Sequence, residues 1–169
     1  MRVQQELARC PAKVKYVAAE NIHLTLKFLG EIDEETAAGV RGAMCEVGRA
    51  AAWGGGLRLG VGGLGYFPPR GAPRVIWAGV TDGADAVCRL QARLERELAG
   101  LGFEPERRFV PHLTLGRVKS SRGGGELVSA IESRADAEFG SCTACEMVLF
   151  ESRLTPRGAV YRAVVRQAL

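Results

Sequence analysis

The sequence predicts an α+β domain of two related halves, and three features carry that expectation. Stretches with a two-residue hydrophobic alternation are interspersed with stretches of three- and four-residue spacing, so strands and helices share the chain. His23-Leu24-Thr25-Leu26 recurs as His112-Leu113-Thr114-Leu115, 89 positions later, and Pro69-Arg70-Gly71-Ala72 recurs as Pro156-Arg157-Gly158-Ala159, 87 later. Each copy occupies the same place in a strand–helix–hairpin series, which argues for duplication, and two repeats are too few for a solenoid. Residues 1–169 are expected to form one two-lobed domain, ordinary in size.

Val3, Leu7 and Cys10 share one face of a short helix, and residues 13–17 alternate as a strand after Pro11. Residues 21–29 are a second, stronger strand candidate. Asp33 can cap a helix whose first turn holds Glu34 and Glu35 and whose Ala-rich run reaches about Ala52 before Gly54-Gly55-Gly56 stops it. Leu57, Leu59 and Val61 alternate, Pro68-Pro69-Arg70-Gly71 breaks the run, and residues 74–80 resume it as the second arm of a hairpin. Val87, Leu90, Leu94, Leu98 and Leu101 mark the clearest helix, with Gly100 and Gly102 at its exit. Residues 112–118 follow Pro111 as a strand. A Gly-rich loop at 123–125, a short helix over 127–131 and two strands around 145–150 and 160–165 complete the chain.

A net charge of +4, a pI near 9.0 and a strong preference for Arg over Lys suit contact with phosphate oxygens, although a solvated basic surface would account for a charge of this size equally well. The apolar runs are too short and too often interrupted for a membrane span or a signal peptide, so a cytoplasmic protein is expected. Cys10, Cys45, Cys88, Cys142 and Cys145 are odd in number and scattered, unlike a disulfide framework, and are expected to be buried small apolar residues.

On a strand, residues two apart share a face, so His23 and Thr25 point one way and Leu24 and Leu26 the other, as do His112 and Thr114 against Leu113 and Leu115. A pseudo-twofold axis relating the copies would set two imidazoles and two hydroxyls around one cleft. One His-Leu-Thr-Leu alone is more often an ordinary half-buried strand. Letter-for-letter repetition that uses both histidines of the chain favours chemistry instead. In-line attack of water on a cyclic phosphate needs a base on one side and an acid on the other, work for which imidazoles are suited, and Thr hydroxyls can hold the non-bridging oxygens. With only two imidazoles and no acidic cluster beside them, metal catalysis is the weaker expectation.

The paired runs Asn21-Ile22-His23-Leu24-Thr25-Leu26-Lys27-Phe28-Leu29-Gly30 and Pro111-His112-Leu113-Thr114-Leu115-Gly116-Arg117 resemble those of the RNA 2′,3′-cyclic phosphodiesterases, historically called 2′-5′ RNA ligases, of the two-histidine phosphoesterase superfamily. Gly63-Leu64-Gly65-Tyr66-Phe67, the run from Arg74 to Val80 and the closing run from Glu151 to Tyr161 extend the resemblance over nearly the whole chain. It implies a bilobal fold in which two antiparallel sheets line a central cleft, helices outside, each sheet giving one His-x-Thr. It implies hydrolysis of RNA 2′,3′-cyclic phosphate ends to 2′-phosphates without metal or nucleotide cofactor; the expected partners are such RNA ends or small cyclic nucleotides, and the chain is expected to be a monomer. His23 matches the proton donor to the departing 3′ oxygen, His112 the proton acceptor, Thr25 and Thr114 phosphate-holding hydroxyls, and Arg117 a phosphate-contacting basic residue. Members of that family usually open with a short apolar strand, whereas Met1-Arg2-Val3-Gln4-Gln5 enters a helix almost at once. Either the start is truncated or mis-assigned, or another segment fills that place; a missing strand would leave apolar faces uncovered.

Cys142-Thr143-Ala144-Cys145 has metal or redox spacing but no second pair, and the glycine runs lack P-loop or dinucleotide endings, so both are set aside. Tyr66, Phe67 and Trp77 could stack bases. Trp77, alternating with Ile76 and Ala78, is expected in the core, while Phe67 fits either role. The rivals to hydrolysis are 2′-5′ ligation by the same site and a non-catalytic RNA- or nucleotide-binding module. Opening of a cyclic nucleotide by EDTA-treated protein discriminates between turnover and binding alone.

Overall fold

The computed structural model describes residues 2–50, 54–120, 122–155 and 158–169. Its elements run α1 (Arg2–Leu7), β1 (Val14–Tyr16), a 3-10 turn (Ala19–Asn21), α2 (Glu34–Ala50), β2 (Leu57–Phe67), β3 (Val75–Asp82), α3 (Ala84–Ala99), β4 (His112–Val118), α4 (Gly124–Glu132), β5 (Glu138–Ala144), β6 (Glu146–Thr155) and β7 (Gly158–Ala168). The chain is α+β, as its mixed periodicity requires. One sheet has the order β1-β4-β3-β2-β5, with antiparallel pairing from β1 through β2, and a second consists of antiparallel β6 and β7.

Two compact units share these elements. One takes Met1–Thr25, Gly60–Asp82 and Pro111–Cys142, the other Leu26–Leu59, Gly83–Val110 and Thr143–Leu169. The two His-x-Thr runs, far apart in sequence, thus fall in the same unit.

In that first unit the alternation of β2, β3 and β4 turns one sheet face inward. Leu64, Ile76, Ala78 and Leu115 on that face meet Leu7 of α1 and Leu127 and Ile131 of α4 in a core where Ile76 and Leu127 are fully buried. Val14 and Tyr16 of β1 close its edge. The Tyr16 hydroxyl is buried with no hydrogen-bond partner among the described residues, and burial, with a smaller contribution from Cys10, raises its pKa above the ordinary phenol value.

In the second unit, Val40, Met44 and Val47 of α2 and Val87, Leu90, Leu94 and Leu98 of α3 recur at helical spacing and are buried. The Thr36 N–H donates to Asp33 Oδ1 at 2.8 Å at the start of α2. Bonds from Thr36, its side chain first and its backbone second, hold the Asp33 carboxyl below its ordinary pKa. Lys27 Nζ donates to both oxygens of Glu95 at 3.0 and 2.9 Å and to the Glu104 carbonyl at 2.6 Å, which occupies all three ammonium protons. Gln91 and the Glu106 N–H donate to the same carboxylate. The network fastens the chain just after Thr25 to the segment that leads to Pro111.

The structure corrects several expectations. Residues 21–29 do not form a strand: a 3-10 turn at Ala19–Asn21 is followed by one isolated bridge at Leu24. The chain passes from one unit to the other between Thr25 and Leu26, and Lys27 is drawn to Glu95, so no ladder continues. The cysteines are half-buried (Cys10, Cys45, Cys88) or exposed (Cys142, Cys145), because the helix and strand interiors are filled by Leu, Ile and Val. Gly124 and Gly125 open α4, and only Gly123, at φ 71°, serves as the connection. β5 has no counterpart among the expected elements; six of its seven residues are exposed, so it has no hydrophobic alternation to read. Ala51 and Ala52, and Pro156 and Arg157 of the second tetrapeptide repeat, lie outside the described residues. Among the described residues, no helix is long and apolar enough to cross a membrane.

Candidate active site

His112 opens β4 opposite Gly79 of β3, and Thr114 lies opposite Trp77. Their neighbour Leu113 pairs with Ala78, a residue of the core. Strand alternation therefore turns His112 and Thr114 to the sheet face away from the core, where both are half-buried.

Arg117 would point the other way if β4 were regular, since it lies three residues past Thr114. The register shifts instead: Ile76 pairs with Gly116 and the next residue, Trp77, with Thr114, so Leu115 and Gly116 together oppose one residue. Leu115 is buried in the core, and a Cβ on Gly116 would come within 2.8 Å of Val14 Cγ1. The bulge restores the phase, and Arg117, opposite Val75, joins His112 and Thr114 on the same face.

The first His-x-Thr reaches that face through Leu24, which bridges Leu113 antiparallel. Extending that register by one residue on each side sets His23 opposite Thr114 and Thr25 opposite His112, all four away from the leucines. The two imidazoles are then diagonal neighbours, roughly 7–8 Å apart at the backbone. His23 Nδ1 lies 2.8 Å from the Asn21 carbonyl oxygen, a bond in which Nδ1 donates the proton. His23, Thr25, His112, Thr114 and Arg117 are thus brought to one sheet face within one unit.

Aromatic rings complete the surroundings of His112. Phe67 meets its ring edge-on, with centroids 5.1 Å apart at 81°, and Trp77 stands 6.3 Å away. Trp77 is half-buried on the site face, not in the core as expected: its neighbours Ile76 and Ala78 are the buried pair, so alternation sends it the other way. Its indole lies across Gly65 on β2, where a Cβ would penetrate the ring. The indole Nε1 is buried without a hydrogen-bond partner among the described residues. Tyr66, by contrast, packs against the core. Recognising Ile76 and Ala78 as core would have assigned Trp77 and, on the neighbouring strand, Phe67 to the histidine face from sequence. Among the described residues, no three His, Cys, Asp or Glu side chains are grouped to hold a metal.

Residues 1–77 and 79–161 match the LigT-like phosphoesterase family. The chain is 35% identical over 164 residues to an RNA 2′,3′-cyclic phosphodiesterase of Aeropyrum pernix, covering 96% of this chain and 90% of the relative. It is 36% identical to one from Methanothermobacter thermautotrophicus, covering 95% and 85%. Among solved structures, a Thermus thermophilus protein superposes with a TM-score of 0.76 at 28% identity over 99% of this chain and 92% of the other. Escherichia coli LigT in complex with 3′-AMP superposes with a TM-score of 0.69 at 25% identity over 99% and 91%.

Proposed function

This chain belongs to the LigT-like phosphoesterase family, and from that membership we propose that it opens the 2′,3′-cyclic phosphate at RNA ends to a 2′-phosphomonoester by acid–base catalysis with two histidines. The observation that carries the proposal is the antiparallel bridge between Leu24 and Leu113, from which the diagonal placement of His23 and His112 on one face follows. In the proposed reaction His112 takes a proton from water as it attacks phosphorus. The bond from phosphorus to the 3′ oxygen breaks, and His23 Nε2 gives its proton to that oxygen. Thr25 and Thr114 hold the non-bridging oxygens, and Arg117 offers its guanidinium to the same charge. The chemistry closes without a metal or nucleotide. The two matched family segments, each with one His-x-Thr, support a single domain descended from two related halves.

The test is incubation of purified, EDTA-treated protein with a 2′,3′-cyclic nucleotide, followed by phosphorus NMR. A 2′-phosphate product is expected. A 3′-phosphate product, or dependence on added metal, would overturn the assignment.

A further inference from the structure

Lysine is scarce in this arginine-rich chain: Lys13, Lys15, Lys27 and Lys119 are all it has. Lys27 is consumed by Glu95 in the second unit. The other three gather in one place. β1 pairs with β4 so that Lys15 stands opposite Arg117, and the Lys119 N–H donates to the Lys13 carbonyl at 2.7 Å, which sets Lys13 opposite Lys119 one step further along. Val14 and Tyr16 between them, and Val118, pack against the core, so all four cations point to the face that carries His112 and Thr114. All four are exposed.

Like charges set directly across a strand pair destabilise it, and here two such pairs follow one another. None of Lys13, Arg117 and Lys119 has an ion-pair partner among the described residues. Arg117 belongs to the proposed reaction, whereas Lys13 and Lys119 stand beyond it. Successive cation rows are separated by two residues, about 6.6 Å along a strand, a step comparable with that between neighbouring phosphates on an extended single strand. The strip starts beside the two histidines and runs away from them in a line. An anion that answers Arg117 and also the Lys13 and Lys119 row must itself be a row of charges.

Resting on the function proposed above, we infer that Lys13, Lys15 and Lys119, in continuation of Arg117, form a track for the phosphodiesters on the 5′ side of the terminal cyclic phosphate. The substrate this selects is an RNA strand, and a lone cyclic nucleotide has nothing to lay on the track. Lysine fits such a role, because an ammonium is a point charge that contacts backbone phosphate without reading bases.

The test compares kcat/KM of the parent and of the double variant Lys13→Ala/Lys119→Ala on 2′,3′-cyclic AMP and on an eight-nucleotide RNA ending in a cyclic phosphate, over a range of salt. The double variant should match the parent on the nucleotide and fall about tenfold or more on the RNA at low salt. Its slope of log kcat/KM against log salt on the RNA should be shallower by about 1.4, two cations at roughly 0.7 each. Lys13→Arg/Lys119→Arg should restore both. Equal losses on the two substrates would mark a structural role, and equal activity on the RNA would remove the track; either overturns the inference. If the parent opens neither substrate, the function proposed above fails instead. The track is then judged by binding of the RNA with a 3′-phosphate, where the same difference in salt slope supports it and its absence refutes it.

Discussion

Leu24 and Leu113 face one another across a single antiparallel bridge, at the centre of two identical tripeptides. The local twofold axis passes between these two leucines and makes His23 and His112 equivalent by position, while the proposed reaction needs one as acid and the other as base. Replacing either histidine with Ala should lower kcat/KM for cyclic-phosphate opening by about 10²–10⁴-fold with the melting temperature little changed. A steady-state assay beside a thermal melt checks it, and a single variant near parental activity would refute the assignment.

The roles separate with pH. The proposed reaction uses one imidazole as acid and the other as base, so the parent should give a bell-shaped profile whose two limbs belong to the coupled pair. His23→Ala should lose the alkaline limb, since no acid remains to be deprotonated, and should spare a substrate whose leaving group needs no proton. If the alkaline limb persists in this variant, His23 is not the acid.

Gly65 holds open the space in which Trp77 lies. Gly65→Val should destabilise by about 1–3 kcal/mol through overpacking. Because Trp77 and Phe67 flank His112, the same variant should lower kcat. Urea unfolding and turnover measured on one preparation test the two effects together.

The Lys27–Glu95 pair has side chains only 7% and 11% exposed. Removing one partner, as in Lys27→Met or Glu95→Gln, leaves a buried group uncompensated and should cost about 3–5 kcal/mol. Lys27→Met/Glu95→Leu should recover most of that loss in urea unfolding. A double variant no more stable than the singles would show that Gln91, Glu104 and Glu106 contribute more than the pair itself.

The helices and most strands were legible because each carries its period: Val87, Leu90, Leu94 and Leu98 mark α3, and the letters around Ile76 mark β3. β5 was not legible, since a strand exposed on both faces has no alternation. Residues 21–29 and 112–118 both carry strand letters, yet only the latter pair along their length; where the chain changes compact unit is a tertiary fact that no local pattern holds. The histidines and threonines were legible through their repetition. Arg117 came from resemblance alone, because the bulge at Leu115 and Gly116 that turns it to the site is visible only in the pairing of β3 with β4. Trp77 lies on the opposite face from the one expected, although the apolar letters on either side of it already argued against a core position.

Both imidazoles are proposed to meet one phosphate, and with only two histidines in the chain each ring can be followed by its own signal. Titrating the protein with 2′-AMP while following both imidazole resonances by NMR should move the two signals together with one dissociation constant, and His112→Ala should weaken the response of the remaining His23 signal. Movement of a single imidazole, or two signals that follow different dissociation constants, would contradict it.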